Sequence, residues 1–344
     1  MGAPFPSRGR QRGGVLWVAV ALLLAAVAAA AAYVWFLVQR PLPLPDERVE
    51  FVVPAGASAR AIGEAMRGQG VDVNVDLFVA VARYTDATQR LRAGRYEITR
   101  GMRLADVIER LRRGETLKER LTIVEGWTFR EMRAALAGHP QLRRDSDGMS
   151  DAQILAAVGA TEDHPEGLFA PDTYLFDAGS SDLDVLRRAY VQQQARLTSA
   201  WESRAVDLPL KSPYEALILA SIVEKETGRA DERARIAGVF VNRLRIGMLL
   251  QTDPTVIYGL GERFDGNLRK RDLTTDTPYN TYTRGGLPPT PIALPGVASI
   301  EAALNPEPTR AMYFVARGDG RSQFSETLAE HNRAVFRYQL GGRR

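Results

Sequence analysis

The feature that most constrains this chain is Val15–Val38, VLWVAVALLLAAVAAAAAYVWFLV, roughly two dozen residues without a charge. As a helix the run is long enough to cross a bilayer core of about 30 Å, and a helix satisfies its own backbone there. Arg8, Arg10 and Arg12 precede it, so the positive-inside rule keeps the N-terminus in the cytoplasm and places everything after the run across the membrane. A cleaved signal peptide is the competing reading, because the alanines offer A-x-A sites. Its apolar core is too long for that, and Tyr33–Val38 continues past any such cut with an aromatic belt. The order expected is a cytoplasmic tail at 1–14, a single transmembrane helix at 15–38 and a proline-punctuated spacer at 39–48, QRPLPLPDER, that holds the rest off the lipid.

Beyond the membrane run the chain has material for real cores, since 45% of the 344 residues are hydrophobic. A net charge of +4, with arginines scattered rather than grouped with aromatics, gives no nucleic-acid footprint. Without cysteine there is no disulfide framework and no thiolate ligand or nucleophile. His139, His164 and His331 stand far apart, so neither a metal centre nor any other cofactor is expected.

A unit then recurs three times. Val49 begins VEFVVPAGASARAIGEAM, Gly94 begins GRYEITRGMRLADVIERL, and Arg120 begins RLTIVEGWTFREMRAAL. Each reads as a strand, a turn at Gly56, Gly101 or Gly126, and an amphipathic helix, with Ser58 and Thr128 suited to cap the first and third. The first two units define a small strand-and-helix domain at 49–115, and a larger α+β domain fills 116–344. In the larger one PEGLFAPDTYLF at Pro165–Phe176 reads as a tight turn before an apolar strand, a structural element. Leu183–Arg204 and Asp231–Arg245 read as helices, and Ala311–Phe324 as a hairpin before a closing helix.

The chemistry concentrates in Ser212–Gly247. Ser212 and Glu215 make an S-x-x-E capping box, Pro213 fits the first helical position and Gly228 reads as the stop, so Pro213–Thr227 is expected to be a helix. Its stretch ALILASIV, apolar all round apart from Ser221, is the pattern of a helix buried on every side. Glu224 and Glu226 sit in its last turn, where burial and the negative end of the helix dipole both push a carboxyl pKa up, toward use as a general acid. Two residues apart they point about 200° away from each other, so one acts alone. Glu224 shares its face with Leu217, Ala220 and Ser221, two of them small enough to leave room for a ligand. Glu226 lies on the more crowded side of Leu219 and Ile222, and periodicity leans toward Glu224. The plain alternative is that both glutamates merely end a helix at the surface.

Further on, TPYNTYTRGGLPPTPIALPG at Thr277–Gly296 is loop by composition, yet it carries Tyr279, Asn280, Tyr282 and Thr283 on a proline-stiffened backbone. Tyrosine faces and amide groups held in this way suit a carbohydrate subsite.

Together these motifs resemble a known family. ASIVEKETG at Ala220–Gly228, FVNRLRIGMLLQTDPTVIYG at Phe240–Gly259 and YNTYTRGGLPPTPIALPG at Tyr279–Gly296 are similar to the endolytic murein transglycosylases, the YceG-like family, as are PEGLFAPDTYLF and the terminal YFVARGDGRSQFSETLAEHN. The resemblance implies a single-pass inner-membrane enzyme with a periplasmic catalytic domain at 116–344 and a lysin-motif-like subdomain at 49–115. Such an enzyme cuts the bond between N-acetylmuramic acid and N-acetylglucosamine within nascent peptidoglycan strands. It implies Glu224 as the essential carboxyl. Asn242, Gln251, Asp253, Tyr279, Asn280 and Tyr282 would hold the sugar, and Glu226 would bond the backbone or orient a substrate amide. It also suggests a penicillin-binding synthase as partner. A hydrolytic muramidase, with Asp253 or Glu226 activating water, and a non-enzymatic wall-binding scaffold are the rival readings.

Overall fold

A computed structural model of the chain describes residues 12–54, 56–88 and 90–341. The apolar run forms helix α1 (Arg12–Gln39), and its stretch Leu16–Gln39 is long and apolar enough to cross a membrane, with none of it buried in the fold. Trp17, Trp35 and Phe36 face outward along it, a surface that acyl chains favour and water penalises. The helix starts at Arg12, within the stretch read as a tail; the rest of that tail, with Arg8 and Arg10, lies outside the described residues.

The chain divides into two compact units between Lys118 and Glu119. The first adds β1 (Arg48–Val53), α2 (Ala59–Gly68), α3 (Val75–Tyr84), β2 (Gly94–Thr99) and α4 (Leu104–Arg113). β1 and β2 pair antiparallel with Val49 opposite Ile98 and Phe51 opposite Tyr96, so strand alternation buries one face of the ribbon under the helices. Gly56 and Gly101 take φ of +74° and +93°, left-handed turns that favour glycine. Ser58 caps α2 by accepting from the Ala61 N–H. The repeat pattern did not mark α3, because no strand leads into it; Asn74 caps it. The spacer is not free either. Leu42 is buried in this unit's core, its N–H donates to the Met102 carbonyl, and Asp72 N–H donates to Pro43 O.

The second unit holds β3 (Lys118–Thr122), α5 (Phe129–Gly138), α6 (Asp151–Val158), β4 (Thr173–Asp177), α7 (Asp182–Glu202), α8 (Pro213–Glu226), α9 (Ala230–Arg245) and α10 (Asp253–Leu260). They are followed by α11 (Lys270–Thr274), α12 (Val297–Leu304), β5 (Tyr313–Ala316), β6 (Ser322–Ser325) and α13 (Leu328–Tyr338). β3 pairs with β4, and β5 with β6 in an antiparallel hairpin.

Helix α8 is the centre of this unit. Residues Ala216 to Val223 are all buried, against α7, α9 and α12, which is why the segment is apolar all round. Full burial of each of Leu217, Leu219 and Ile222 contributes roughly 1.5–3 kcal/mol. Its ends differ from the sequence expectation. Ser212 Oγ accepts from Glu215 N–H, but the Glu215 carboxylate reaches past Ser212 to Lys211 N–H, so the capping box is half formed. The helix stops because Thr227 turns extended (φ −148°, ψ 134°), not through a left-handed Gly228. α9 starts at Ala230, one residue ahead of Asp231, whose carboxylate takes the Arg229 guanidinium at 2.7 Å.

Candidate active site

The two glutamates at the end of α8 meet opposite surroundings. Glu226 accepts a short hydrogen bond from the Thr252 hydroxyl. Burial pushes its carboxyl above the usual carboxylate range against that bond, and the charge of Asp253 adds to the rise while Arg243 opposes it. Arg243 is itself spent on backbone, donating to the carbonyls of Leu250 and Met312 at 2.7 Å each.

Thr252 is positioned by a set of buried threonines. Thr252 N–H donates to Thr281 Oγ1 at 3.1 Å, Thr255 Oγ1 lies 2.9 Å from Thr281 Oγ1, and Gln251 N–H donates to Thr281 O. In this way the QTDPT and YNTYT segments are stitched together beside Glu226. Tyr282 then donates its phenol to Asp253, 2.5 Å away.

Glu224 is enclosed differently. Its side chain is 7% exposed, Oε2 accepts the Gly296 N–H at 2.9 Å, and Arg233 from α9 approaches Oε1 to 3.7 Å. The small residues beside it leave no room for a ligand: Ala220 and Ser221 are fully buried, and Ser221 Oγ accepts Ile292 N–H at 2.9 Å. They admit the backbone of the proline loop. At Gly296 the loop also lies close under Glu125, where a Cβ would stand 1.9 Å from Glu125 Oε1. Residues 290–296, expected in an open polar loop, are buried, and their backbone groups are answered by Ser221, Glu224, Trp127 and Gln193.

The other sequence candidates separate. Gln251, Asp253 and Tyr282 fall around Thr252, Gln251 with a left-handed φ of +48° and an exposed side chain. Tyr279 bonds Thr290 Oγ1 at 2.8 Å and meets Tyr258 edge to face at 5.0 Å. Asn280 and Asn242 are tied to backbone. Asn280 is 0% exposed, with its NH2 directed to the carbonyls of Asp272, Leu273 and Thr275 and its oxygen taken by Tyr282 N–H. The Asn242 amide is held by the carbonyls of Thr309 and Ala311. Both shape loops, with their amide donors already used.

Glu166, in the segment read as a plain turn, was missed. It is 3% exposed, accepts Phe129 N–H at 2.8 Å and the Tyr258 hydroxyl at 3.0 Å, and burial pushes it up to about 7. It borders a cavity of about 900 Å³, whose wall also includes Lys225 and Tyr279. α10 is therefore tied near both ends to buried carboxyls, through Thr252 to Glu226 and through Tyr258 to Glu166. A single acidic residue in a proline-glycine turn carries no periodic signal that could have marked it. Among the described residues no group of three or more His, Asp or Glu side chains is placed to hold a metal ion.

Against known proteins, residues 51–337 match the model of the YceG-like family. An endolytic murein transglycosylase of Bacillus subtilis is 33% identical over 332 residues, covering 88% of this chain and 89% of that protein. The enzyme of the same name from Streptococcus pneumoniae strain D39 is 26% identical over 86% of this chain, which spans 59% of that longer protein. A crystal structure of a YceG-like protein from Listeria monocytogenes superposes with a TM-score of 0.52 at 32% identity, covering 83% of this chain and 98% of that one.

Proposed function

This chain belongs to the YceG-like family, and from that premise we propose that it is an endolytic murein transglycosylase, anchored by α1, in which Glu226 is the acid. One observation carries the reading: a buried carboxyl with a raised pKa ends the core helix where the QTDPT and YNTYT segments converge, gripped by Thr252. The sequence leaned to Glu224, and its surroundings argue against that role. Glu224 braces the Gly296 end of the loop and faces Arg233, so both its oxygens are engaged inside the fold.

The chemistry needs one carboxyl. Protonated Glu226 gives its proton to the oxygen joining N-acetylmuramic acid to N-acetylglucosamine as that bond breaks. The carboxylate then takes the proton from the muramic C6 hydroxyl while O6 attacks C1, closing the 1,6-anhydro ring and restoring the acid. No water enters, and holding O6 in line supplies the advantage of an intramolecular attack. A hydrolase would need a second free carboxylate. Asp253, the carboxylate whose charge acts on Glu226, already accepts the Tyr282 phenol, which favours transglycosylation. Tyr282, Gln251 and Tyr279 are the remaining side chains suited to hold the sugar.

The arginines before α1 support a cytoplasmic N-terminus and a periplasmic catalytic unit. In the same reading the 49–115 module binds glycan, and a penicillin-binding synthase that makes the strands is a partner; crosslinking in cells without recovery of any synthase would remove that partner. Mass spectrometry of digested peptidoglycan tests the central claim: anhydro-muramic ends support it, reducing ends mean hydrolysis, and intact strands leave a wall-binding scaffold.

A further inference from the structure

The cavity beside α10 shares Tyr279 with the side chains suited to hold the sugar, but neither Glu226 nor Thr252 is on its wall. It opens from the same turn of α8 as the acid, because Lys225, between the two glutamates, is on its wall, and Pro254, next to Asp253, is another part. Phe129, Ile257, Tyr258, Phe264 and Ile292 give its wall a large apolar and aromatic share, with the buried Glu166 among them. Its rim is charged. Arg130 bridges Glu262 at 3.0 Å and Arg133 bridges Asp151 at 3.1 Å, both partly or largely exposed pairs that cost little to exchange. Lys225 is different: its ammonium touches the Gly126 carbonyl at 3.1 Å and has no carboxylate partner among the described residues.

A volume of about 900 Å³ lies in the range of ligand sites. The sugars flanking the cut bond carry no charge to answer Lys225. The peptide hung on muramic acid does, since it carries free carboxylates along with aliphatic side chains, and it leaves the ring through the lactyl ether next to that bond. Resting on the transglycosylase reading, we propose that this cavity takes the stem peptide of the muramic acid at the cleavage point. Lys225 pairs a peptide carboxylate, and the aromatic wall covers the aliphatic part.

The full-length protein in detergent is given two substrates: uncrosslinked glycan strands with stem peptides, and the same strands stripped by an N-acetylmuramoyl-L-alanine amidase. The quantity read is the ratio of kcat/KM for anhydro-end formation on the two. The expected wild-type ratio is about tenfold in favour of peptide-bearing strands, and Lys225→Gln and the cavity-filling Ile257→Trp each bring it toward one. A wild-type ratio of one, or variants that slow both substrates alike and leave the ratio unchanged, would overturn the proposal. Cleavage of neither substrate would instead strike the transglycosylase reading, and this proposal with it.

Discussion

On one side of the last turn of α8, Glu224 is answered by a backbone N–H and a guanidinium; on the other, Glu226 is answered by a hydroxyl, with a second carboxylate close by. Depth does not separate them, because both side chains are largely withdrawn from water. The electrostatic company does. Glu224 is held by a backbone N–H and a guanidinium, the company of a brace, whereas burial beside a hydroxyl and a like charge raises the Glu226 pKa, the company a proton donor needs. Glu166, buried at about pKa 7 against Tyr258, is of the second kind.

The largest effect expected from this contrast is in catalysis. Glu226→Gln should lower cleavage on the order of 10²–10⁴-fold with the fold intact, as loss of a general acid does, while Glu224→Gln stays within about tenfold of wild type. The opposite pattern in a strand-cleavage assay would exchange the two roles.

Next is stability at Glu166. Its folded pKa is raised from 4.5 to about 7, so the stabilisation its proton provides is present below about 4.5 and lost as pH rises through about 7. The shift corresponds to about 3 kcal/mol as an upper bound. Glu166→Gln should remove most of that slope in denaturant titrations between pH 5 and 8, and an unchanged slope would show that Glu166 titrates normally.

Glu224→Gln should cost about 1–3 kcal/mol, since it disturbs a buried carboxyl that accepts the Gly296 N–H and faces the Arg233 guanidinium. A variant as stable as wild type in the same titration would deny Glu224 its bracing role.

The smallest effect is a displacement of the pH profile. The acid must hold its proton, so kcat/KM falls as pH rises through the Glu226 pKa. Asp253 raises that pKa, so Asp253→Asn should move the alkaline limb to lower pH. Movement upward would mean that Asp253 does not act on Glu226 through its charge.

Local rules carried much of the fold. The apolar run gave α1, Ser58 and Thr128 capped their helices, Gly56, Gly101 and Gly126 took left-handed φ, and ALILASIV formed a helix buried all round. Each depends on residues within a few positions of one another. The site was legible to the level of a two-residue choice at the end of α8. Helical periodicity fixes which way Glu224 and Glu226 point but not what they point at. Ala220 and Ser221 looked like room for a ligand, and the proline loop occupies that space instead.

The amino-acid sequence by itself determined the membrane run, the caps and turns, the central helix and the family, because those arise from composition, short-range spacing and ordered motifs. Only the tertiary structure decided that Thr252 meets Glu226, that Arg233 meets Glu224, that Asn242 and Asn280 are spent on carbonyls, and that Glu166 is buried against Tyr258. The reason is physical: a carboxyl's role is set by the charges and dipoles around it, and those come from other elements, Thr252 and Tyr258 from tens of positions away, that folding alone brings within reach.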